Sequence, residues 1–269
     1  MAHTNDISKL LVTDTPVYEV IVLSALGSTP RDAGSWMLVS AAHSWGTIGG
    51  GQLEKIALEK VVELIAEDRR EAHDDIPLGP DIGQCCGGRV GLRYIRLSQT
   101  AKDAIKTRVE KEITNQPHLY IFGAGHTGRA LALCCELLPV RCIVVDQRED
   151  EMALLPKTIE KRLTALPEVE LKSAPAGSAF VVMTHDHALD FLITFEALAR
   201  QDAAYVGMIG SKTKRAKFKS WIEENGPQNP IDALQCPMAA HAKGDKRPAV
   251  IASVIAAEIM VAFARVNGS

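Results

Sequence analysis

The stretch HLYIFGAGHTGRALALCCELL, residues 118–138, contains a strand signal, a glycine turn and a helix signal in direct succession. HLYIF is short, apolar and aromatic, which is typical of a buried strand. RALALCCELL has apolar residues at the spacing of one helix face. Between them, the glycines of GAGHTG allow the tight turn with which a parallel α/β sheet joins a strand to a helix. The stretch therefore predicts a strand–turn–helix unit of such a sheet.

The same pattern continues towards the end of the chain. RCIVVD (141–146), SAFVVMT (178–184) and AAYVGMIG (203–210) predict further strands, and helical patterns follow the last two. Strands that alternate with helices indicate a doubly wound parallel sheet. Residues 117–269 are therefore expected to form a Rossmann-like C-terminal domain of the α/β class.

Residues 1–100 are expected to form a separate α+β domain. VYEVIVLSAL (17–26) and GRVGLRYIRL (88–97) predict strands, and QLEKIALEKVVELIAED (52–68) predicts an amphipathic helix. The charged segment 101–116 predicts a linker helix between the two domains. A chain of 269 residues is long for a single hydrophobic core, which supports this division.

The composition argues against several functional classes. Hydrophobic residues make up 46% of the chain and charged residues 23%, and the net charge of −3 gives no sign of nucleic-acid binding. We find no signal-peptide pattern and no apolar run of the roughly 18 residues that span a membrane, so we expect a cytoplasmic protein without membrane contact. The six cysteines lack the paired C-x-x-C spacing of zinc sites and are expected to be reduced.

The GAGHTG turn supplies the first candidate cofactor-binding residues: Gly123, Gly125, His126 and Gly128. Glycines let the backbone approach a phosphate at a helix N-terminus, where the helix dipole favours anions. Asp146 follows 23 positions after Gly123, at a strand end where dinucleotide sites bind ribose hydroxyls. We expect valine at position 125 to unfold the turn or block the site. The pattern alone leaves a nucleotide, another phosphate ligand or no ligand open.

Two further strand ends carry polar candidates. In THDH, residues 184–187, His185 and Asp186 are candidates for a proton relay or a metal site. The alternative is that Thr184 or Asp186 caps the helix and that the histidines are solvated. Ser211 and Lys212 open the next helix, where a phosphate is a candidate ligand. The basic residues that follow are interpreted as a solvated helix face: Lys214, Arg215, Lys217 and Lys219.

The loop LGPDIGQCCGGRVGL, residues 78–92, places two cysteines side by side. Cys85 and Cys86 lie between glycines and near Arg89, surroundings that favour a thiolate. A thiolate is a soft metal ligand, a nucleophile or a sulfur acceptor, so Cys85, Cys86, Gly87 and Gly88 form a second candidate site. The alternative is a tight turn with buried thiols. The other cysteines are expected to pack as small apolar residues: Cys134, Cys135, Cys142 and Cys236.

Taken together, the motifs resemble the xanthine dehydrogenase accessory protein family, XdhC. The resemblance rests on GSTPRDAG, GTIGGGQLE and DIGQCCGG in the first half, and on FGAGHTGRAL, VVMTHDHALD and YVGMIGSKTKRAKF in the second. These motifs keep the order of the family and cover nearly the whole chain. GQCCGG points to the xanthine dehydrogenase branch and not to the related carbon monoxide dehydrogenase branch. Residues 238–247 depart from the family pattern, and no ligand role is assigned to them.

The resemblance implies a chaperone and not an enzyme. Members of this family bind molybdenum cofactor as cargo, protect it while a cysteine desulfurase adds its terminal sulfur, and deliver it to the molybdenum subunit of apo xanthine dehydrogenase. A molybdenum cofactor biosynthesis protein is a further implied partner. We also expect a homodimer, and we do not expect NAD as a cofactor.

The resemblance also implies roles for individual residues. Cys85 or Cys86 is expected to contact molybdenum or to relay the sulfur, with one of the two thiols dominating. The N-terminal loops add further candidates for the same site: Pro30, Arg31, Gly49, Gly50, Gly51 and Gln52. The glycine turn at residues 123–128 is suited to the phosphate of the cofactor.

Two other functions remain open from the sequence. The first is an NAD-dependent redox enzyme that uses Cys85 or Cys86 as its active-site thiol, and a retained nicotinamide or flavin with hydride chemistry would favour it. The second is a regulatory domain that senses a nucleotide and performs no chemistry. A ligand screen distinguishes these functions from a cofactor chaperone.

Overall fold

In the computed structural model, which describes residues 7, 9–13, 15–79, 87–225, 231–242 and 244–267, the chain divides into two units. The first unit is Met1–Lys111 and the second is Glu112–Ser269. The division falls inside the helix Gln99–Thr114, which occupies most of the segment expected to link two domains.

Within its described part, the first unit contains a five-stranded antiparallel sheet in the order β3–β2–β1–β5–β4. Its elements are β1 Tyr18–Leu26, β2 Trp36–Val39, β3 Ser44–Gly46, α1 Gly51–Ala66, β4 Glu71–Pro77, β5 Arg89–Arg96 and α2 Gln99–Thr114. The long strand β1 lies at the centre, paired with β2 on one side and with β5 on the other. The loops that follow β1 and precede β5 therefore lie at the same end of the sheet.

Helices cover both faces of this sheet. The buried side chains of α1 recur every three or four residues and pack on one face: Leu53, Ala57, Val61 and Leu64. Leu38 points from β2 to the opposite face, because successive side chains of a strand alternate. There Leu38 packs with Ile105 and Val109 of α2. Residues of β2 therefore contribute to the cores on both faces of the sheet, whereas the buried residues of β1 and β5 belong to the core beneath α1.

The second unit contains, among its described residues, a six-stranded parallel sheet in the order β11–β10–β9–β6–β7–β8. Its strands are β6 His118–Phe122, β7 Arg141–Asp146, β8 Glu160–Leu163, β9 Ala179–Val182, β10 Tyr205–Met208 and β11 Leu234–Gln235. Its helices are α3 His126–Cys135, α4 Glu149–Ala153, α5 Glu170–Ser173, α6 His187–Ala199, α7 Lys212–Asn225 and α8 Pro248–Asn267.

This sheet is doubly wound, as the sequence predicts. The chain runs from β6 outward to β7 and β8, and then returns to build β9, β10 and β11 on the other side. Leu119 and Ile121 pack with α3 and α8 on one face, whereas Tyr120 and Phe122 pack with α6 and α7 on the other. The strand order reverses between β6 and β9, and the carboxyl ends of strands at such a switch point form the crevice in which open α/β sheets bind ligands.

The helix α8 is long and strongly apolar. Its segment Pro248–Val266 has a mean hydropathy of 2.1 over an 18-residue window, so by length and composition it is able to span a membrane. The expectation that no apolar run reaches this length is therefore wrong. Ala252, Ile255 and Ile259 of α8 are buried against the parallel sheet, and a core helix has the same composition.

Candidate functional site

The turn between β6 and α3 brings three backbone segments into close contact. Gly123 has φ +119°, a left-handed conformation that glycine adopts without strain. A Cβ atom on Gly123 would overlap the carbonyl group of Met183, which follows β9. A Cβ atom on Gly128 would overlap the carbonyl oxygen of Gly123. These two glycines are therefore required by the packing of β6, β9 and α3.

Gly125 has a different role. Its φ of −64° and ψ of −176° are open to any residue, so the expectation that valine here unfolds the turn is wrong, and the expectation that valine blocks the site stays a prediction. Among the described residues, no heavy atom beyond its chain neighbours lies within 4 Å of the position that a Cβ atom would take. Gly125 is also the N-cap of α3 and has no side chain to accept the first-turn N–H groups. The open space and the helix dipole together suit an anionic ligand at this point.

Asp146 lies at the carboxyl end of β7, and only 5% of the residue is exposed. Its Oδ2 atom accepts hydrogen bonds from the backbone N–H of Ala124 (2.6 Å) and from Nη2 of Arg148 (2.8 Å). Its Oδ1 atom accepts hydrogen bonds from the backbone N–H and from Nε of Arg148, both at 3.0 Å. The carboxylate thus connects the end of β7 to the turn that follows β6.

These hydrogen bonds determine the charge state of Asp146. Burial by itself raises the pKa of a carboxyl group, but the hydrogen bonds from Arg148 and Ala124 outweigh it and hold the pKa of Asp146 below its ordinary value. Arg148 also pairs with Glu151 of α4 at 3.6 Å. Glu151 pairs in turn with Arg129 of α3. A network of alternating charges therefore lines this side of the crevice.

At the end of β9, Asp186 serves as the N-cap of α6. Its Oδ1 atom accepts hydrogen bonds from the backbone N–H groups of Ala188 (2.7 Å) and Leu189 (3.3 Å), and His185 and His187 are exposed. Within the described residues, no group of three or more His, Cys, Asp or Glu side chains is placed to hold a metal ion. This geometry matches the capping alternative.

A buried ion pair next to this cap was not predicted from the sequence. Asp190 of α6 is fully buried and pairs with the ammonium group of Lys214 of α7. Oδ1 of Asp190 accepts hydrogen bonds from the backbone N–H (2.9 Å) and the hydroxyl (2.7 Å) of Thr184. Lys214 also donates to the carbonyl oxygen of Ile209 at 3.0 Å. The pair therefore fixes the loops that follow β9 and β10. In the sequence, the one sign of a buried charge here is that Asp190 lies within the apolar run ALDFLI.

The loop after β10 begins α7 as expected. Oγ of Ser211 accepts a hydrogen bond from the backbone N–H of Lys214 at 3.3 Å, and Lys212 is exposed at the helix start. Arg215 donates to the carbonyl oxygens of Leu234 and Ile231, so it is not part of a solvated face. The structure therefore corrects the interpretation of Lys214 and Arg215, which both have buried partners.

Three loops meet at one end of the first unit's sheet. Gly49, with φ +132°, packs against Pro30 so closely that a Cβ atom on the glycine would lie 2.5 Å from Cγ of the proline. Ser28 forms a β-bridge with Gly87. A Cβ atom on Gly88 would overlap the carbonyl oxygen of Ser28. The GSTPRDAG and GTIGGGQLE motifs thus meet Gly87 and Gly88, the last two residues of GQCCGG, and these residues form one glycine-loop cluster.

Glu54 holds the middle loop of this cluster and was not predicted from the sequence. Its Oε1 atom accepts hydrogen bonds from the hydroxyl of Thr47 (2.6 Å) and from the backbone N–H groups of Ile48 (3.2 Å) and Gly50 (2.9 Å). Because Glu54 lies in the first turn of α1, it ties the glycine loop to the helix that the loop precedes.

The other candidate residues have simpler positions. Pro30 and Arg31 are exposed in the glycine-loop cluster, and Gln52 is half-buried in the first turn of α1. Cys85 and Cys86 lie outside the described residues, so their predicted roles stay predictions. The remaining cysteines are free thiols that are buried or half-buried: Cys134, Cys135, Cys142 and Cys236.

The buried thiols have the properties of packing residues. A hydrogen bond with Cys135, together with burial, raises the pKa of the Cys142 thiol well above its ordinary value. Burial likewise raises the pKa of Cys134 and of Cys236. A raised pKa keeps a thiol protonated at neutral pH and lowers its reactivity.

Comparison with protein families gives two matches along the chain. Residues 119–259 match the family model described as the XdhC Rossmann domain. Residues 10–74 match the family model described as the XdhC and CoxI family. The first match covers the parallel sheet and the crevice, and the second begins before β1 and includes two of the three loops of the glycine-loop cluster.

Two individual proteins are also similar. The chain is 25% identical over 263 residues to the uncharacterized protein YqeB of Escherichia coli (strain K12), which aligns with 94% of this chain and 44% of YqeB. The chain therefore spans less than half the length of that relative. A crystal structure described as a xanthine dehydrogenase from Bacillus halodurans superposes with a TM-score of 0.83, covering 99% of this chain and 96% of the other at 17% identity. That likeness shows a shared fold.

The two kinds of glycine in the GAGHTG turn are expected to respond differently to alanine. Gly128→Ala introduces a Cβ atom where the carbonyl oxygen of Gly123 lies, so it should destabilise the second unit by about 1–3 kcal/mol. Gly125→Ala meets open space at an ordinary φ and should stay within about 1 kcal/mol of wild type. Urea denaturation of both variants provides the measurement, and equal losses would contradict this reading of the turn.

The hydrogen bonds to Asp146 predict a pH dependence of stability. Because the folded-state pKa lies below the unfolded value of about 4, the stabilisation by Asp146 is present above that value and is lost as the pH falls through the folded-state pKa. Asp146→Asn should therefore lower the free energy of unfolding at pH 7 by about 1–3 kcal/mol. Urea titrations between pH 7 and pH 3 should show this difference shrinking towards low pH, and a constant difference would disprove the linkage.

Breaking the Asp190–Lys214 pair from one side is expected to be costly. Asp190→Ala leaves the ammonium group of Lys214 buried without its counter-ion, which should destabilise the protein by about 3–5 kcal/mol. The double variant Asp190→Leu/Lys214→Met should lose less than the sum of the losses of Asp190→Leu and Lys214→Met. Glu59→Ala, which removes an exposed ion pair with Lys55, is the matched control and should have little effect. Strict additivity in a double-mutant cycle would show that the pair is not coupled.

Proposed function

Because the chain belongs to the XdhC family, we propose that it is an accessory protein of xanthine dehydrogenase and not an enzyme in its own right. In this proposal it binds molybdenum cofactor as cargo and protects the cofactor while the terminal sulfur is added. It then delivers the cofactor to apo xanthine dehydrogenase.

The observation that carries this proposal is the glycine-loop cluster of the first unit. Gly87 and Gly88 are held against Ser28 by a β-bridge and by close backbone packing. Gly87 is joined directly to Cys86 in the chain, so the cysteine motif continues from a fixed anchor in this cluster. Within the described part of the chain, nothing lies within 4 Å of the Cβ positions of Gly50 and Gly87, which leaves their backbone accessible to a bulky ligand.

The chemistry of the cargo suits these groups. Molybdenum and sulfur are soft partners for a thiolate, which Cys85 or Cys86 supplies in this proposal. The terminal phosphate of the cofactor requires N–H donors and a positive potential, which helix N-termini provide. The open space at Gly125 is a second candidate position for that phosphate.

The proposal includes three partners in the cytoplasm. A molybdenum cofactor biosynthesis protein supplies the cargo, a cysteine desulfurase supplies the sulfur, and the molybdenum subunit of apo xanthine dehydrogenase receives the product. A homodimer is part of the same proposal. Gel filtration with light scattering and pull-down of each partner test these assignments separately.

The central test is the replacement of each loop cysteine. Cys85→Ala and Cys86→Ala should both fold, and at least one should lose the ability to hold sulfurated cofactor, because alanine offers molybdenum or a persulfide no soft ligand. We expect the two variants to behave unequally. The measurement is xanthine oxidation by apo dehydrogenase after it is mixed with each cofactor-loaded variant.

Cys134→Ala is the matched control for this experiment. Cys134 is a half-buried thiol with a raised pKa, so its loss should change stability modestly and leave cofactor transfer unaffected. If both loop variants and their double mutant activate the dehydrogenase as well as wild type, the cysteine loop has only a structural role and the proposal fails.

A further inference from the structure

The crevice of the second unit has the glycine turn of a dinucleotide site, but the carboxylate at the place that binds the ribose already accepts hydrogen bonds from the protein. In such sites a carboxylate at the end of the second strand accepts hydrogen bonds from the hydroxyls of the adenosine ribose. Asp146 occupies this place at the end of β7, 23 positions after the first glycine of the turn. The question is whether its carboxylate has lone pairs left for a ligand.

The carboxylate of Asp146 is already saturated. An ionised carboxylate has two oxygens with about four acceptor positions. Here each oxygen accepts two hydrogen bonds, all between 2.6 and 3.0 Å, and three of the four donors belong to Arg148. A ribose diol would have to displace charged donors with neutral hydroxyls, which form weaker hydrogen bonds with a carboxylate.

Arg148 is itself held in place from the other side. Its Nη1 atom pairs with Oε1 of Glu151 at 3.6 Å, and the other oxygen of Glu151 pairs with Arg129. Arg129 also donates to the carbonyl oxygen of Ala124 at 2.7 Å. The guanidinium group of Arg148 thus has carboxylates on two sides, and a free 2′-phosphate would compete with both for it.

We propose that Arg148 is a specificity-determining residue that closes the ribose position of the crevice by saturating Asp146. The crevice therefore rejects NAD, NADP and ADP-ribose. The open position at Gly125 remains for a phosphate whose carrier has no ribose diol at this point. This exclusion of nucleotides from the second unit goes beyond the proposed function and does not depend on it.

The test is a gain of binding. Arg148→Ala removes two of the four donors to Asp146, Nε on Oδ1 and Nη2 on Oδ2, and so opens one acceptor position on each oxygen for a ribose hydroxyl. Isothermal titration with ADP-ribose and NAD should show affinity at least about tenfold higher than for wild type, equivalent to about one charge-assisted hydrogen bond. Wild-type protein should bind neither ligand measurably at millimolar concentration.

Two controls identify the cause of a gain. Arg148→Ala/Asp146→Asn lacks the freed carboxylate and should lose the gained affinity. Arg141→Ala breaks a bidentate pair with Glu160 at the start of the same strand, so it should leave nucleotide binding at the wild-type level. The backbone N–H of Arg148 remains in every variant, and the comparison therefore isolates the guanidinium group.

A second variant protects the test against misfolding. If circular dichroism shows that Arg148→Ala does not fold, Arg148→Gln replaces it, because its amide can donate to one carboxylate oxygen and leaves the other open. Tight binding of NAD or NADP by wild type overturns the inference, as does a folded Arg148 variant without any gain. The molybdenum cofactor is absent from this experiment, so either result leaves the proposed function standing.

Discussion

The second unit depends on a close approach of backbone to backbone at the end of β6. The first turn of α3 packs so closely on the carbonyl oxygen of Gly123 that only a hydrogen atom fits at Gly128. Gly123 approaches the carbonyl group of Met183 in the same way. These contacts bring α3 and the loop after β9 to the switch point of the sheet, and the other crevice groups are arranged around them.

The polar side chains of this crevice mainly bind one another. Asp146 is occupied by Arg148 and Ala124, and Asp190 is occupied by Lys214 and Thr184. Because a buried carboxylate without partners is unstable, each one fixes a loop at the carboxyl edge of the sheet. What remains at Gly125 is open space and backbone at a helix N-terminus. Open space at a helix N-terminus suits an anionic group.

The first unit uses the same physical principle in a different fold. Glycines at 49, 87 and 88 allow three loops to meet, and Glu54 holds one of these loops by accepting three hydrogen bonds on a single oxygen. In the proposed function, a thiol of Cys85 or Cys86, which precede Gly87 in the chain, contacts the ligand. This combination of accessible backbone and soft ligands is consistent with a protein that holds a cofactor and later releases it.

The sequence by itself determined the elements with a strong apolar period. The strand and helix around GAGHTG, the strands near 17–26 and 88–97, and the helix α1 were all predictable, because their buried residues repeat at the period of their secondary structure. The strand β4 was not indicated, since Ala72 and Ile76 are its buried apolar residues and charged side chains lie around them. The doubly wound order followed from the alternation of strands and helices.

Only the tertiary structure decided how the polar groups are paired. Asp190 and Lys214 are 24 positions apart in the sequence. From the sequence, Lys214 is one of several lysines on a solvated helix face, whereas in the folded protein it pairs with Asp190 of α6. Gly125 and Gly128 look equivalent in the sequence, but folding surrounds one with open space and the other with a carbonyl oxygen. The periodicity of apolar residues in the sequence shows which face of a helix or strand is buried. The partner of a charge and the space around a glycine depend on residues from other elements, and folding alone brings these together.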